Sequence, residues 1–171
     1  MPRYVALLRG VSPLNAKMPE LKRSFEAAGF RGVRTVLSSG NVVFDAPLSE
    51  ERALERRAEA AMAATLGRSF HTIVRTSSRL AELLAFDPYT SHGIPRDAKR
   101  VVSYLREARP PRLPLPLAQD HACVFLLEGR EAFTAYVRTD KGPVFMQLIE
   151  RAFGSDVTTR TLDTVAKCAA A

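Results

Sequence analysis

The sequence contains no tryptophan, only two cysteines, Cys123 and Cys168, and no long apolar run. The longest apolar segments, 4–8 and 122–127, are far shorter than the roughly 20 residues that a membrane-spanning helix requires. The first residues also lack the basic-then-apolar layout of a signal peptide. We therefore expect a cytoplasmic protein without a disulfide framework.

The residues of common catalytic and metal sites are also scarce. The three histidines, His71, His92 and His121, have no short ligand spacing, so no zinc site is expected. Cys123 and His121 would share a strand face, but no third group is visible to orient them, and Cys123 is more typical of a buried small apolar side chain. The sequence has no phosphate-binding glycine motif and no nucleophile-elbow motif. We predict no catalytic residue, metal or cofactor.

Positive charge is in excess, with a formal net charge of +7. Two segments are especially basic: residues 1–34 have seven Lys or Arg against two Glu, and residues 95–112 have six against two acidic residues. A basic surface attracts phosphates and nucleic acids without reading their sequence. The alternative is codon bias, since arginine outnumbers lysine twenty to five. The predicted nucleic-acid contacts are Arg96, Lys99, Arg100 and Arg106.

The first half of the chain alternates strand and helix patterns. Ser38-Ser39-Gly40 is typical of a hairpin turn, and Ser49 is predicted to cap the second helix. The order is the βαββαβ of a ferredoxin-like subdomain over residues 1–76. The predicted segments are strand 3–8, helix 18–28, strands 32–37 and 41–45, helix 49–66 and strand 69–75.

The second half predicts a smaller α+β subdomain over residues 77–171. A short helix from Ser77 or Ser78 ends near Phe86, and Pro88 prevents its continuation. Four prolines make 109–118 extended or turned. The remaining predicted segments are loop 87–97, strands 99–105, 122–128 and 131–138, a helix opened by Pro143 and closed by Gly154, and a last helix from about Leu162.

Two aromatic side chains on the middle strands, Tyr4 and Phe44, lack the pattern of an RNA-recognition sheet. We therefore predict that both belong to the core.

Three segments resemble the bacterial domain-of-unknown-function 1697 family: Arg3–Gly10, Ser39–Phe44 and Glu150–Gly154. Their order and spacing match the family over nearly the whole chain. The resemblance implies a ferredoxin-like N-terminal subdomain followed by a second α+β subdomain. It implies no established activity.

The chain departs from the family pattern at several places. The family continues Arg-Gly with Ile-Asn-Val-Gly-Gly, whereas this chain has Val11-Ser12-Pro13-Leu14-Asn15, although Lys17-Met18 still matches. Gly142-Pro143 and Phe145-Met146 replace polar pairs of the family. In the final motif, Arg160, Thr164 and Val165 match, while two Asn and a Trp do not. These differences indicate a divergent member with an altered or lost site.

The strongest candidate site is Arg9 beside the hairpin turn of Ser39 and Asn41. An arginine at a strand end can hold a phosphate or carboxylate by two parallel hydrogen bonds. The alternative is that Ser39 and Asn41 satisfy the turn backbone and that Arg9 pairs with an acid. With the family matches, the predicted ligand-binding residues are Arg9, Lys17, Ser39, Asn41 and Arg160.

Three functions remain open on the sequence. The first is a non-enzymatic binding module for an anionic ligand, a nucleotide or a nucleic acid. The second is an enzyme for a phosphorylated or carboxylated small molecule in a cleft between the subdomains. The third is a homo-oligomeric structural protein joined through an open sheet face.

Overall fold

The computed structural model describes the whole chain, Met1 to Ala171, as a mixed α+β protein with two antiparallel sheets. Its contacts divide it into two compact units. The first comprises residues 1–82 and 166–171, and the second comprises residues 83–165. The predicted boundary after residue 76 lies six residues before this division, and the last six residues return to the first unit.

The first unit contains a four-stranded sheet in the order β2-β3-β1-β4. The central strand β1 pairs with β3 and β4, which confirms that the first strand lies beside the second strand of the hairpin. The elements in chain order are β1 (Arg3–Leu8), α1 (Met18–Ala27), β2 (Arg31–Val36), β3 (Asn41–Asp45), α2 (Glu51–Leu66), β4 (Thr72–Thr76) and α3 (Ser77–Phe86), the last of which runs on into the second unit.

One face of this sheet shares a core with helices α1 and α2. Every fourth residue of α2 is apolar, so Leu54, Ala58 and Met62 lie on one stripe and are buried. Tyr4 and Phe44 are buried in the same core, with their rings stacked 5.7 Å apart, as predicted.

The start of α2 differs from the prediction. Glu50, not Ser49, occupies the N-cap position, and it makes no side-chain capping bond. Ser49 Oγ instead donates to the carbonyl of Pro47 at 2.7 Å, so its predicted capping role is wrong. The following strand begins at Thr72, three residues later than expected.

The opposite face of the first sheet is also buried. Val5, Val43 and Ile73 are fully buried there, and so is Arg75, whose Nη1 lies 3.7 Å from Glu51 Oε2. Because both faces of β1 are covered, this strand presents no open apolar face. Assembly through an open sheet face would require such side chains at the surface.

The second unit contains a five-stranded sheet in the order β6-β7-β8-β5-β9. The elements are α4 (Pro88–Ser91), β5 (Lys99–Tyr104), β6 (Leu117–Gln119), β7 (Ala122–Glu128), β8 (Glu131–Tyr136), α5 (Val144–Phe153), β9 (Thr158–Thr161) and α6 (Leu162–Ala170), whose second half belongs to the first unit.

Three of these elements were not predicted. The segment 87–97, expected as loop, contains α4, because Asp87 accepts a hydrogen bond from the Thr90 amide and Pro88 fits the first helical turn. The proline-rich stretch 109–118 leads into β6. Strand β9 precedes the last helix, which begins at Leu162 as predicted.

Side chains pack on both faces of the second sheet. On one face, α5 places Leu148, Ile149 and Phe153 in a core with the inward side chains of β5, β7 and β8. On the other, the ring of Tyr89 packs edge to face against Phe125 and Phe133. None of the helices in the structure has both the length and the apolar character needed to cross a bilayer.

Candidate functional site: a basic groove in the second unit

A large cavity of the second unit lies where β5 begins and where β8 and β9 end. These three strand ends meet because β5 pairs antiparallel with both neighbours, opposing Lys99 to Tyr136 and Val101 to Thr161. The cavity volume is about 880 Å³. We call it the basic groove; its lining is Thr90, Ile94, Arg96, Asp97, Ala98, Lys99, Arg100, Tyr136, Arg138, Thr161, Leu162 and Asp163.

Four cationic side chains line the groove against two carboxylates. Arg96, Lys99 and Arg138 are exposed, and none of them forms an ion pair with an acidic side chain. Arg100 is half-buried, with its guanidinium carbon 5.4 Å from the centre of the Tyr89 ring. Three exposed, unpaired cations in one concave surface make a positive potential that attracts anions.

The first turn of α6 forms part of the same wall. Thr161 Oγ1 accepts a hydrogen bond from the Thr164 amide at 3.3 Å and so caps the helix. The N-terminus of a helix has a partial positive charge, which adds to that of the arginines. Asp163, in the same turn, opposes this effect.

The opposite wall is held in place by a short network at Asp87. The hydroxyl of Thr90 donates to Asp87 Oδ2 at 2.7 Å. This hydrogen bond lowers the pKa of the Asp87 carboxyl below its usual value, with a smaller contribution from the charge of Arg100. Asp87 is therefore a carboxylate at neutral pH and keeps α4 in place beside the groove.

The predicted nucleic-acid residues divide into two groups. Arg96, Lys99 and Arg100 line the groove together. Arg106 does not, because it follows the opposite end of β5, about 20 Å along the strand direction from Lys99. There its carbonyl accepts a hydrogen bond from Arg130 Nη1 at 3.5 Å.

Sequence reasoning missed Arg138 and Tyr136. Both lie outside the basic segment 95–112 and reach the groove only through the pairing of β8 with β5. The predicted hairpin of 122–128 and 131–138 identified their strand and its pairing with β7. No local sequence pattern indicated that β8 would also pair with β5.

The hairpin beside Arg9 is built around its own turn. Asn41 is fully buried, and its Nδ2 donates to Val36 O at 2.9 Å and to Ser39 Oγ at 3.0 Å. The amide of Arg9 donates to His71 O at 2.9 Å and extends the sheet. Asn41 therefore uses its amide to hold the turn, which is the part of the alternative interpretation that concerns this residue.

The loop after β1 also satisfies its own polar groups. Asn15 Nδ2 donates to Gly10 O at 2.8 Å, and Asn15 Oδ1 accepts from the amide of Ser12 at 2.9 Å. Lys17 follows as the exposed N-cap residue of α1. A cavity of about 350 Å³ lies beside this loop, but its lining includes neither Lys17 nor Arg9.

Arg160 lies in β9, opposite Val102 of β5. It is half-buried, and its Nη1 donates to the carbonyl of Thr159 at 2.9 Å. Its neighbour Thr161 lines the groove, whereas Arg160 does not.

Comparison with known proteins identifies the family of the chain. The family described as "Protein of unknown function (DUF1697)" matches residues 1–127. This range includes Arg96, Lys99 and Arg100 and ends before Arg138. No curated protein matches the chain.

A solved structure, that of the conserved bacterial protein SP0830 from Streptococcus pneumoniae, has a similar fold. The TM-score is 0.69 at 19% sequence identity, and the alignment covers 99% of this chain and 97% of that one. At this identity the likeness is one of fold. The family match over residues 1–127 establishes more: the chain belongs to the DUF1697 family.

Proposed function

We propose that this protein is a non-enzymatic binding module that takes a phosphate-bearing ligand, a nucleotide or a nucleic acid, in the basic groove. The observation that carries the proposal is the convergence of Arg96, Lys99, Arg100 and Arg138 on one cavity of about 880 Å³. No chemical step is part of the proposal.

The exposure of these cations supports a ligand role over a structural role. An arginine that stabilises a fold is normally paired, as Arg109 is with Asp156 at 2.6 Å. Arg96, Lys99 and Arg138 have no such partner, so their charges repel one another across the groove and lower the stability of the free protein. A bound phosphate relieves this repulsion and accepts charge-assisted hydrogen bonds.

We also propose that the first unit is a ferredoxin-like subdomain. The element order β1-α1-β2-β3-α2-β4 and the strand order β2-β3-β1-β4 support this assignment. The cytoplasm remains the proposed compartment.

The proposal is tested by anisotropy titration of a labelled single-stranded oligonucleotide at several salt concentrations, with inorganic tripolyphosphate as competitor. Because bound phosphates release counterions, the logarithm of the affinity should fall linearly with the logarithm of the salt concentration. Arg138→Gln should weaken binding roughly three- to tenfold. It should also reduce the salt slope by about 0.7, the value for one phosphate contact on a single strand.

Arg56→Gln is the matched control. Arg56 is exposed on α2 in the first unit, and its replacement changes the net charge by the same amount. We expect its affinity and salt slope to equal those of the unaltered protein. Equal weakening by both substitutions would indicate a general charge effect, and no binding of either probe at low salt would overturn the proposal.

A further inference from the structure

A second, smaller cavity adjoins the basic groove. Its volume is about 310 Å³, and it lies between the end of β8, the loop that follows, and the start of α5. Tyr136 and Arg138 line both cavities. The two cavities are therefore neighbours that share two lining residues, one aromatic and one cationic.

The smaller cavity differs from the groove in chemistry. Two aromatic rings line it, those of Tyr136 and Phe145, stacked with their centres 3.9 Å apart and their planes within 3°. Ala122, Pro143 and Val144 add apolar surface. The two rings cover each other's facing sides, so a flat aromatic group can stack only on an outer face of this pair, where an aromatic ring favours a planar π system.

The loop that closes this cavity is fastened at two points. The amide of Val137 donates to His121 O at 2.9 Å, and Lys141 Nζ lies 2.9 Å from Asp120 Oδ1. The charge of Lys141 is therefore neutralised by Asp120, which lines the cavity. Arg138 is left as the cation at the junction of the two cavities.

We propose that the two cavities together form a nucleotide site, with the base in the smaller cavity and the phosphates in the basic groove. This inference rests on the proposed function, because the groove binds the phosphates of the ligand and the smaller cavity is assigned to its base. Arg138 lies where base and phosphates join. The nucleotide can come free or as an unpaired residue of a nucleic-acid strand, since both present the same base and phosphate chemistry.

The first test compares ligands with and without a base on the unaltered protein. ATP, GTP and CTP are titrated against inorganic tripolyphosphate, and an oligonucleotide against its counterpart with abasic sites. A stacked base should make the nucleotide bind roughly five- to a hundredfold tighter than tripolyphosphate. Preference for triphosphates alone identifies a free nucleotide, and preference for the base-bearing oligonucleotide identifies a strand.

The second test uses Phe145→Leu, which removes a ring and keeps apolar bulk. We expect the ratio of nucleotide to tripolyphosphate affinity to fall towards one. In Arg138→Gln, both affinities should fall together. Thermal unfolding of each variant verifies that it is folded. The first test, with ligands that have or lack a base, does not depend on the folding of any variant.

The outcomes separate the two proposals. If ATP, GTP, CTP and tripolyphosphate bind equally, and the abasic oligonucleotide binds as well as the intact one, the base site is wrong while the basic groove stands. If the nucleotides, tripolyphosphate and both oligonucleotides all fail to bind, both proposals fail. An unchanged affinity ratio in a folded Phe145→Leu protein would also overturn the base site.

Discussion

Tyr89 donates its phenolic proton to the main-chain carbonyl of Val101 at a distance of 2.6 Å. The bond joins the short helix α4 to the strand β5 from inside the core, where Tyr89 is only 1% exposed. Burial raises the pKa of the Tyr89 hydroxyl well above its usual range, so the hydroxyl keeps its proton and remains a donor at neutral pH. The same ring lies beside Arg100, so this bond also fixes one wall of the groove.

Tyr89→Phe tests the strength of this link. The substitution keeps the ring and leaves the Val101 carbonyl without this donor, which should lower the free energy of unfolding by about 1–2 kcal/mol. Urea unfolding measures the change. Tyr136→Phe is the matched control, because the half-buried Tyr136 makes no hydrogen bond through its hydroxyl within the protein, and it should change stability by less than about 0.5 kcal/mol. Equal effects of the two variants would contradict the expectation.

Asp87 predicts a pH dependence of stability. Its pKa is lowered in the folded protein, chiefly by the Thr90 hydroxyl, so its ionised form stabilises the native state. The contribution is complete above the unfolded value, near 3.8, and is lost as the pH falls through the lower native value. Asp87→Asn keeps a residue that tolerates the left-handed backbone at this position and removes the charge.

The Asp87→Asn protein should be a few tenths of a kcal/mol less stable at pH 7, since solvent screens this exposed group. The difference should vanish towards pH 2. Thermal unfolding of both proteins between pH 2 and 7 measures it. A constant difference across that range would show that ionisation of Asp87 is irrelevant to stability.

Alanine substitutions at Gly40 and Gly10 distinguish the loss of stability caused by backbone strain from the loss caused by a steric clash. Both glycines have positive φ, +88° and +80°, but a Cβ at Gly40 would lie 2.8 Å from Val11 Cβ, whereas one at Gly10 would meet nothing within 4 Å. Gly10→Ala should therefore cost about 1–2 kcal/mol, the price of the left-handed backbone alone. Gly40→Ala should cost more, because Val11 must also move. Chemical denaturation of the two variants compares them, and equal losses would mean that the hairpin adjusts freely.

The thiol of Cys123 should react slowly. Burial raises its pKa above the usual 9.0, which lowers the thiolate fraction at neutral pH. Alkylation by iodoacetamide, followed by peptide mass spectrometry, should be slower at Cys123 in the native protein than in the denatured protein. Its rate should still be rising with pH at pH 9. A fast reaction at pH 7 would contradict this expectation and indicate a thiol activated by a neighbour such as His121.

Periodic apolar patterns predicted much of the first unit. The stripe of Leu54, Ala58 and Met62 on α2 and the hairpin around Gly40 depend on local spacing, and the structure has both. The prediction that Ser49 caps α2 was wrong because residue preferences for the N-cap position do not take competing hydrogen-bond partners into account. Here the hydroxyl of Ser49 donates to the Pro47 carbonyl instead.

Elements that depend on distant partners were not predictable in this way. Strand β9 contains three threonines and an arginine with no apolar alternation, and it is a strand because β5 offers it an edge. The groove has the same origin. Arg96, Lys99 and Arg100 are neighbours in sequence, but Arg138 joins them only through strand pairing, which no pattern in either segment specifies.

The shortest strands of the second sheet, β6 and β9, lie at its two edges, with three and four residues. An edge strand of that length exposes few unpaired amides and carbonyls, so it is a poor template for β-pairing with another protein molecule. In the other sheet the edge strand β2 has a register shift between Arg31 and Arg34, two exposed charged residues. The bulge and the like charges also hinder intermolecular β-pairing at this edge. At three of its four sheet edges the chain is thus protected against amyloid-like aggregation.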